Sequence, residues 1–273
     1  MLFEALRDSV RYPAVWVAAV SYAALDMVQL VLSLQGETFF SVRLMVIEYL
    51  LLPFLLAGAY GVLREQDSSL GLFGTEAIKN YFRVILPGLV IAFLAVVVLF
   101  LLLLPLSILG LGLTGDLVAG ATLAIMIPVL FFSFLYDTAA CFEGLGVFAS
   151  LRRSFTLVLA HIWKIIVFIL TILAVLLGLA FVLLVGWTTL LFEQLSPLAS
   201  LPASELAAFG PSQLAAMIGT TGLVLSALFY GLYIVLSFVL VTTSKSRFFL
   251  SIADATPPEP QGVYDEKGRY YKY

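Results

Sequence analysis

The chain has very little of what most catalytic and metal sites are built from. Among its 273 residues, Cys141 is the one cysteine and His161 is the one histidine. A single cysteine excludes an internal disulfide and a cysteine-based metal site, and a single histidine excludes a His-rich zinc site. The sequence contains no P-loop, no G-x-S-x-G, no H-E-x-x-H and no clustered acids of the kind that hold two metals. We therefore predict no metal, no cofactor and no enzymatic activity.

Charge is also scarce. Charged residues make up 11% of the chain, hydrophobic residues make up 62%, and the mean hydropathy is +1.11. A soluble domain carries about 25% charged residues. The net charge of −3 and the absence of a basic patch give no basis for nucleic-acid binding. No removable signal peptide is evident, because acids accompany bases in the opening residues. The composition predicts an all-α, polytopic membrane protein.

Six apolar stretches meet the length of about 20 residues that a membrane-spanning helix needs. They run from about Ala14 to Leu34, Leu44 to Leu63, Val84 to Leu109, Leu117 to Tyr136, Ile165 to Leu190 and Leu214 to Val241. The connections after the first and third are short, which predicts helical hairpins. We assign 1–253 to one six-span membrane domain. Residues 254–273 are Pro-rich and mixed in charge, and we predict a disordered cytoplasmic tail.

The basic residues predict the orientation. If the six stretches cross the membrane, 13 of the 14 lysines and arginines fall on one side, and Arg43 alone falls on the other. Lysine and arginine are enriched on the cytoplasmic side of membrane proteins. We therefore expect both termini to be cytoplasmic, in a protein of the plasma membrane.

A short basic segment recurs along the chain. Residues 3–9 and 148–154 share the spelling F-x-[AS]-L-R-x-S, and residues 77–82 form a looser copy at offsets of 72 and 73. Each copy precedes an apolar stretch. This spacing predicts three repeats, about 1–72, 73–145 and 146–250, each an interfacial amphipathic helix followed by a hairpin of two spans.

The cations of these segments are candidates for contact with lipid headgroups. They are Arg7, Arg11, Lys79, Arg83, Arg152 and Arg153. Basic residues on such a helix lie over anionic lipid phosphates. Two interpretations are open: a collar that docks lipid or a partner, or an anchor that only fixes the orientation of the chain.

Two acids, Asp26 and Glu48, fall inside the predicted spans. In an antiparallel hairpin both lie at comparable depth in the outer half of the membrane, with Arg43 about one turn above Glu48. We assign four residues to a candidate polar cluster: Asp26, Gln29, Arg43 and Glu48. Three interpretations are open: a proton- or cation-linked pathway, a headgroup pocket in which Arg43 holds an anion, or a structural cluster in which Asp26 pairs with Arg43.

The line Glu143-Gly144-Leu145-Gly146-Val147-Phe148-Ala149-Ser150-Leu151-Arg152-Arg153-Ser154-Phe155 carries a resemblance. Together with the six-span layout, it is similar to a group of prokaryotic membrane proteins that resemble the membrane domain fused ahead of some glycerophosphodiester phosphodiesterases. In that group the phrase EG-x-G-x-x-x-A-L-x-R-S precedes the fifth span, and Ser150 stands where Ala is frequent. The resemblance implies a six-span fold. It implies no catalytic residues, since the chain has no phosphodiesterase domain.

Two functional hypotheses follow. The first is a non-enzymatic accessory or scaffold protein that binds membrane lipids or a membrane protein partner through its interfacial helices and bundle. The second is a small transporter or lipid-translocating protein that uses the intramembrane Asp/Glu/Arg cluster.

Overall fold

The computed structural model describes residues 7, 9–108, 114–200, 202, 205, 209–256, 263–264 and 270–271. Within them, six helical segments are long and apolar enough to cross a membrane, which confirms the prediction of an all-helical, multi-pass membrane protein. Most of the first basic segment, at residues 3–9, lies outside the described residues, as does most of the tail predicted to be disordered.

The helices of the described residues follow one another with short connections. They are α1 (Pro13–Leu34), α2 (Thr38–Glu65), α3 (Leu70–Ile108), α4 (Gly115–Ser133), α5 (Tyr136–Phe142), α6 (Val147–Ala160), α7 (Ile162–Leu190), α8 (Phe192–Leu195) and α9 (Pro211–Ala253), with a 3-10 turn at Ser196–Ser200. Two residue pairs of the tail, Val263–Tyr264 and Tyr270–Tyr271, form a short antiparallel ladder, β1 and β2.

Two helices run well past the predicted spans. The basic segment at 77–82 is continuous with the third span in α3, which has 39 residues, and α9 has 43 residues. At about 1.5 Å per residue each exceeds the hydrocarbon thickness of about 30 Å. Gly219 interrupts the regular geometry of α9 with a φ of +62°, a conformation that glycine adopts without steric cost. No proline or glycine stands between Val241 and Ala253, so the helix continues.

The fourth span is interrupted at a different place from the one expected. The helix passes through Pro128 and ends at Ser133, and α5 begins at Tyr136. Ser154 of α6 stabilises this break. Its hydroxyl accepts a hydrogen bond from the backbone N–H of Leu135 at 3.0 Å and donates to the carbonyl of Phe132 at 2.8 Å. The break therefore depends on a helix that is distant in sequence, as well as on local residues.

Small residues let α1 and α2 approach closely at one end of the bundle. Ala14, Ala18 and Ala19 of α1 are buried with Ala59 of α2, and Phe238 of α9 packs against the same cluster. Helices in membranes associate through such small faces, because the lipid offers no hydrophobic driving force between them.

A second cluster joins α5, α6, α7 and the last turns of α9. It contains Leu135, Leu157, Ile165 and Phe249, all nearly inaccessible. We call this end of the bundle, with α6, the start of α1 and the last turns of α2 and α9, the α6 end. Buried side chains concentrate here.

Large apolar side chains are exposed along the candidate spans. Examples are Phe40 on α2, Phe93 on α3, Leu123 on α4 and Phe181 on α7. A protein in water rarely exposes so much contiguous apolar surface. The helices are therefore surrounded by lipid chains, as the composition predicts.

The close contact between α2 and α3 gives a first prediction. A β-carbon at Gly61 would overlap the side chain of Glu76, whose Cγ would lie 2.7 Å away. Gly61→Ala must therefore displace α3, and we expect a loss of about 1–3 kcal/mol in the free energy of unfolding. Thermal unfolding in detergent micelles measures it.

Gly178→Ala is the matched control, because no atom lies within 4 Å of a β-carbon at Gly178. That variant should be neutral or stabilised by up to about 1 kcal/mol. Equal stability of Gly61→Ala and the wild type would contradict the packing described.

Candidate functional site

The two intramembrane acids lie against each other. Asp26 on α1 and Glu48 on α2 are 8% and 6% exposed, and their side chains form a hydrogen bond. In the amide orientation that satisfies its neighbours, Gln29 donates to both Glu48 oxygens, at 2.5 and 3.2 Å. A hydrogen bond between two carboxyl groups requires a proton on one of them. The arrangement fits a neutral Asp26 that donates and a charged Glu48 that accepts.

Two tyrosines extend this acid pair. Tyr22 of α1 and Tyr230 of α9 lie close enough to interact electrostatically with both carboxyl groups. The acid pair is therefore enclosed by three helices, although Tyr230 remains 37% exposed at its side. A site of this kind can hold a proton or accept hydrogen bonds from a ligand.

Arg43 has another partner. Its guanidinium carbon lies 3.4 Å from the centre of the Phe39 ring on the same helix, a cation–π contact. Within the described residues no ion pair joins Arg43 to Asp26 or Glu48. Of the four residues assigned to the polar cluster, three are brought together and Arg43 is not.

A second polar centre lies at the α6 end and was missed by the sequence analysis. Lys245 of α9 donates to both oxygens of Asp137 on α5, at 2.7 and 2.8 Å, and the Tyr60 hydroxyl of α2 donates to Asp137 at 3.1 Å. The Lys245 ammonium also lies 4.7 Å from the Phe134 ring. All three polar residues are buried. This buried triad, Tyr60–Asp137–Lys245, joins three helices.

Glu76 of α3 organises a neighbouring set of contacts. Its carboxylate accepts from Arg64 at 2.9 Å, from Lys79 at 2.8 Å and from Asn80 at 2.9 Å. Arg64 also donates to the carbonyl of Cys141 at 2.6 Å. The carboxylate of Glu76 is buried, and the donors around it offset the cost of removing that charge from water.

Glu143 holds the third ion pair of this end. Arg153 of α6 donates from two nitrogens to the Glu143 carboxylate, at 2.8 to 3.0 Å, a forked contact. Arg153 also donates to the carbonyl of Ala253, at 3.5 Å. The pair therefore connects the ends of α5, α6 and α9.

The six cations expected at lipid headgroups have different surroundings. Arg7, Arg11 and Arg152 are exposed, Lys79 is half-exposed and paired with Glu76, and Arg83 is half-buried and donates to Asn80 at 3.1 Å. Arg153 differs from the expectation, because its side chain is 6% exposed and faces Glu143. The acid lies ten residues earlier, beyond a turn, so helical spacing alone gave no sign of the pair.

No local signal marked the buried triad. Asp137 and Lys245 are separated by 108 residues. Lys245 follows the predicted end of the sixth span and was counted with the exposed cytoplasmic cations. A usable signal was their opposite charge just beyond the ends of two spans that finish on the same side.

No protein-family model, no curated protein and no solved structure matches the chain. The fold and the polar centres define a class. The chain is a multi-pass helical membrane protein with an acid pair within its spans and a buried ion network at the α6 end.

The buried triad gives a second prediction. Lys245→Met leaves the Asp137 carboxylate without its cation, and we expect a loss of about 3–5 kcal/mol in the free energy of unfolding. Adding Asp137→Asn removes the orphaned charge and should restore part of the loss. Unfolding by denaturant in mixed micelles measures the three proteins.

Lys79→Met is the control. It removes a half-exposed cation of an ion pair and should cost no more than about 1 kcal/mol. If Lys245→Met and Lys79→Met lose the same stability, the buried triad does not hold the helices together.

Proposed function

We propose that this chain is a non-enzymatic accessory protein of the plasma membrane that binds membrane lipid through helical segments at its cytoplasmic boundary. The distribution of lysine and arginine supports an orientation with both termini in the cytoplasm. In that orientation the α6 end faces the cytoplasm.

The three-repeat organisation is part of the proposal. Positions related by the offset of 73 have the same burial: Asn80 corresponds to Arg153, Val84 corresponds to Leu157, and all four are buried. The repeats differ in one respect. The segment is continuous with its span in α3, whereas α6 is separated from α7 at His161. Equal burial at a constant offset supports two copies of one packing unit.

The outward faces of these segments carry the proposal. Ile78 and Phe82 on α3 and Phe148 and Phe155 on α6 are all exposed, with fractions from 47% to 75%. Exposed cations, Lys79 and Arg152, lie beside them. Aromatic and aliphatic side chains next to cations are typical of helices in the headgroup layer. We call these two faces the collar.

The resemblance to the membrane domain of some glycerophosphodiester phosphodiesterases agrees with a binding role, since that resemblance implies no catalytic residues in this part of the chain. Membrane lipid is the ligand we favour, and a membrane protein partner is the alternative. The experiment that follows separates them.

Extraction into native lipid nanodiscs, followed by native mass spectrometry, tests the proposal. We expect wild-type protein to retain lipid. The double variant Phe82→Ala, Phe155→Ala should retain less, because it removes the aromatic contacts of the collar.

The control variant is Phe93→Ala, Phe181→Ala, which removes two exposed phenylalanines from the middle of spans and should retain lipid as the wild type does. A retained protein without lipid would favour the partner alternative. Equal lipid loss from both double variants would contradict a specific role for the collar.

A second candidate function is a proton-linked small transporter, and the contact between Asp26 and Glu48 favours it. Acids inside a bilayer are frequently parts of ion or proton pathways. The shared proton and the exposed side of Tyr230 give this pair the chemistry to exchange a proton with water or a ligand. Arg43 has no part in this version, since it contacts Phe39.

The prediction for this candidate uses Asp26→Asn together with Glu48→Gln. These variants keep hydrogen-bonding groups in place but cannot lose a proton, so folding should be retained while proton-driven flux into proteoliposomes falls at least tenfold. Arg43→Gln is the control and should leave both flux and thermal stability near those of the wild type. A double variant that unfolds, with no flux in the wild type, would instead identify a structural cluster.

A further inference from the structure

A groove runs between α7 and α9 at the α6 end, and none of the polar centres above uses it. Its volume is about 530 Å³, within the range of about 300–1,000 Å³ typical of ligand sites. Residues of α7 form one wall, and Ser244, Arg247, Phe248 and Ser251 of α9 form the other. These four α9 positions share one helix face, while Lys245 points away toward Asp137.

The walls of the groove are apolar. Phe168 of α7 stacks on Phe248 of α9, with ring centres 4.2 Å apart, and fixes the separation of the helices there. Val167 lines the groove and is itself 61% exposed on the outside of α7. The groove therefore opens on a surface that faces lipid chains, where an acyl chain is the abundant apolar ligand.

The end of the groove is cationic. Lys164 and Arg247 come from opposite walls, and Trp163, 76% exposed, lies beside Lys164 at the first turn of α7. Tryptophan, lysine and arginine at the end of a span are typical of the headgroup layer. The described lining contributes no carboxylate to balance the two cations.

Ser244 supplies an independent observation. It lines the groove, is 3% exposed, and its hydroxyl has no hydrogen-bond partner. Buried hydroxyls in proteins are normally paired, because an unpaired one costs free energy. A ligand oxygen at this wall satisfies it.

We infer that this groove binds one anionic glycerophospholipid, with an acyl chain between the walls and the headgroup phosphate at Lys164 and Arg247. The inference rests on the proposed lipid-binding function and orientation, and it names the class of lipid. A zwitterionic lipid brings a positive group to the same two cations, which disfavours it.

The experiment is a competition. Delipidated full-length protein in detergent is mixed with equal amounts of phosphatidylglycerol and phosphatidylcholine of identical chains, and bound lipid is counted by native mass spectrometry. We expect one phosphatidylglycerol per chain in clear preference. Lys164→Gln with Arg247→Gln should lower that preference roughly tenfold, because each cation near the headgroup contributes to the attraction.

Two further variants keep the test decisive. Thr171→Trp fills the groove without changing its charge and should also lose phosphatidylglycerol, which covers the case in which the charge variant does not fold. Lys79→Gln with Arg152→Gln removes two exposed collar cations and should keep the preference.

The possible failures are distinguishable. Equal retention of both lipids by the wild type overturns the inference and leaves lipid binding intact. A loss in the collar control equal to that in the groove variant also overturns it, as does full displacement of the lipid by glycerol phosphate, which has no chain. Retention of neither lipid overturns both the inference and the proposed function.

Discussion

The fold depends on a buried ion pair between the ends of two distant helices. Asp137 and Lys245 are 2.7 Å apart, and Tyr60 adds a third helix to the same carboxylate. Moving either charge from water into this environment is costly, so each is acceptable only when the other is in place. The pair therefore acts as a condition on the assembly: α2, α5 and α9 must reach one relative arrangement, or a charge remains buried alone. A lipid-facing surface imposes no such condition, because many rotations of an apolar helix are nearly equal in energy.

The other contacts of the α6 end extend that condition. Glu76 gathers donors from α2 and α3, and the forked pair of Arg153 with Glu143 fixes α6 against the end of α9. Polar side chains thus specify one end of the bundle, while small residues and apolar contacts form its middle. The acid pair of Asp26 and Glu48 is different, because it brings together groups of the same sign. Such a contact persists only with a shared proton, which is why it supports a functional candidate as well as a structural one.

Several cations have two assignable roles, and the structure separates them. Arg152 and Arg153 are adjacent in a segment where both were expected at lipid headgroups. Helical geometry turns neighbours by about 100°, so Arg152 is exposed and Arg153 is buried against Glu143. Lys245 and Arg247 divide in the same way, one toward Asp137 and one toward the groove with α7. The positive-inside pattern is a property of position along the chain and carries no information about which face each cation occupies.

The sequence by itself determined the class: long apolar stretches separated by short polar connections leave only a bundle of spanning helices, because backbone groups must pair within each helix in lipid. It also brought attention to Asp26, Gln29 and Glu48, since an acid in an apolar run is conspicuous. Tertiary structure decided that these three meet while Arg43 lies on Phe39, that the fourth span breaks after Ser133, and that Asp137 finds Lys245. Those outcomes depend on rotations and depths of helices that are far apart in the chain. Hydrophobic periodicity fixes neither, because nearly every face of these helices is apolar.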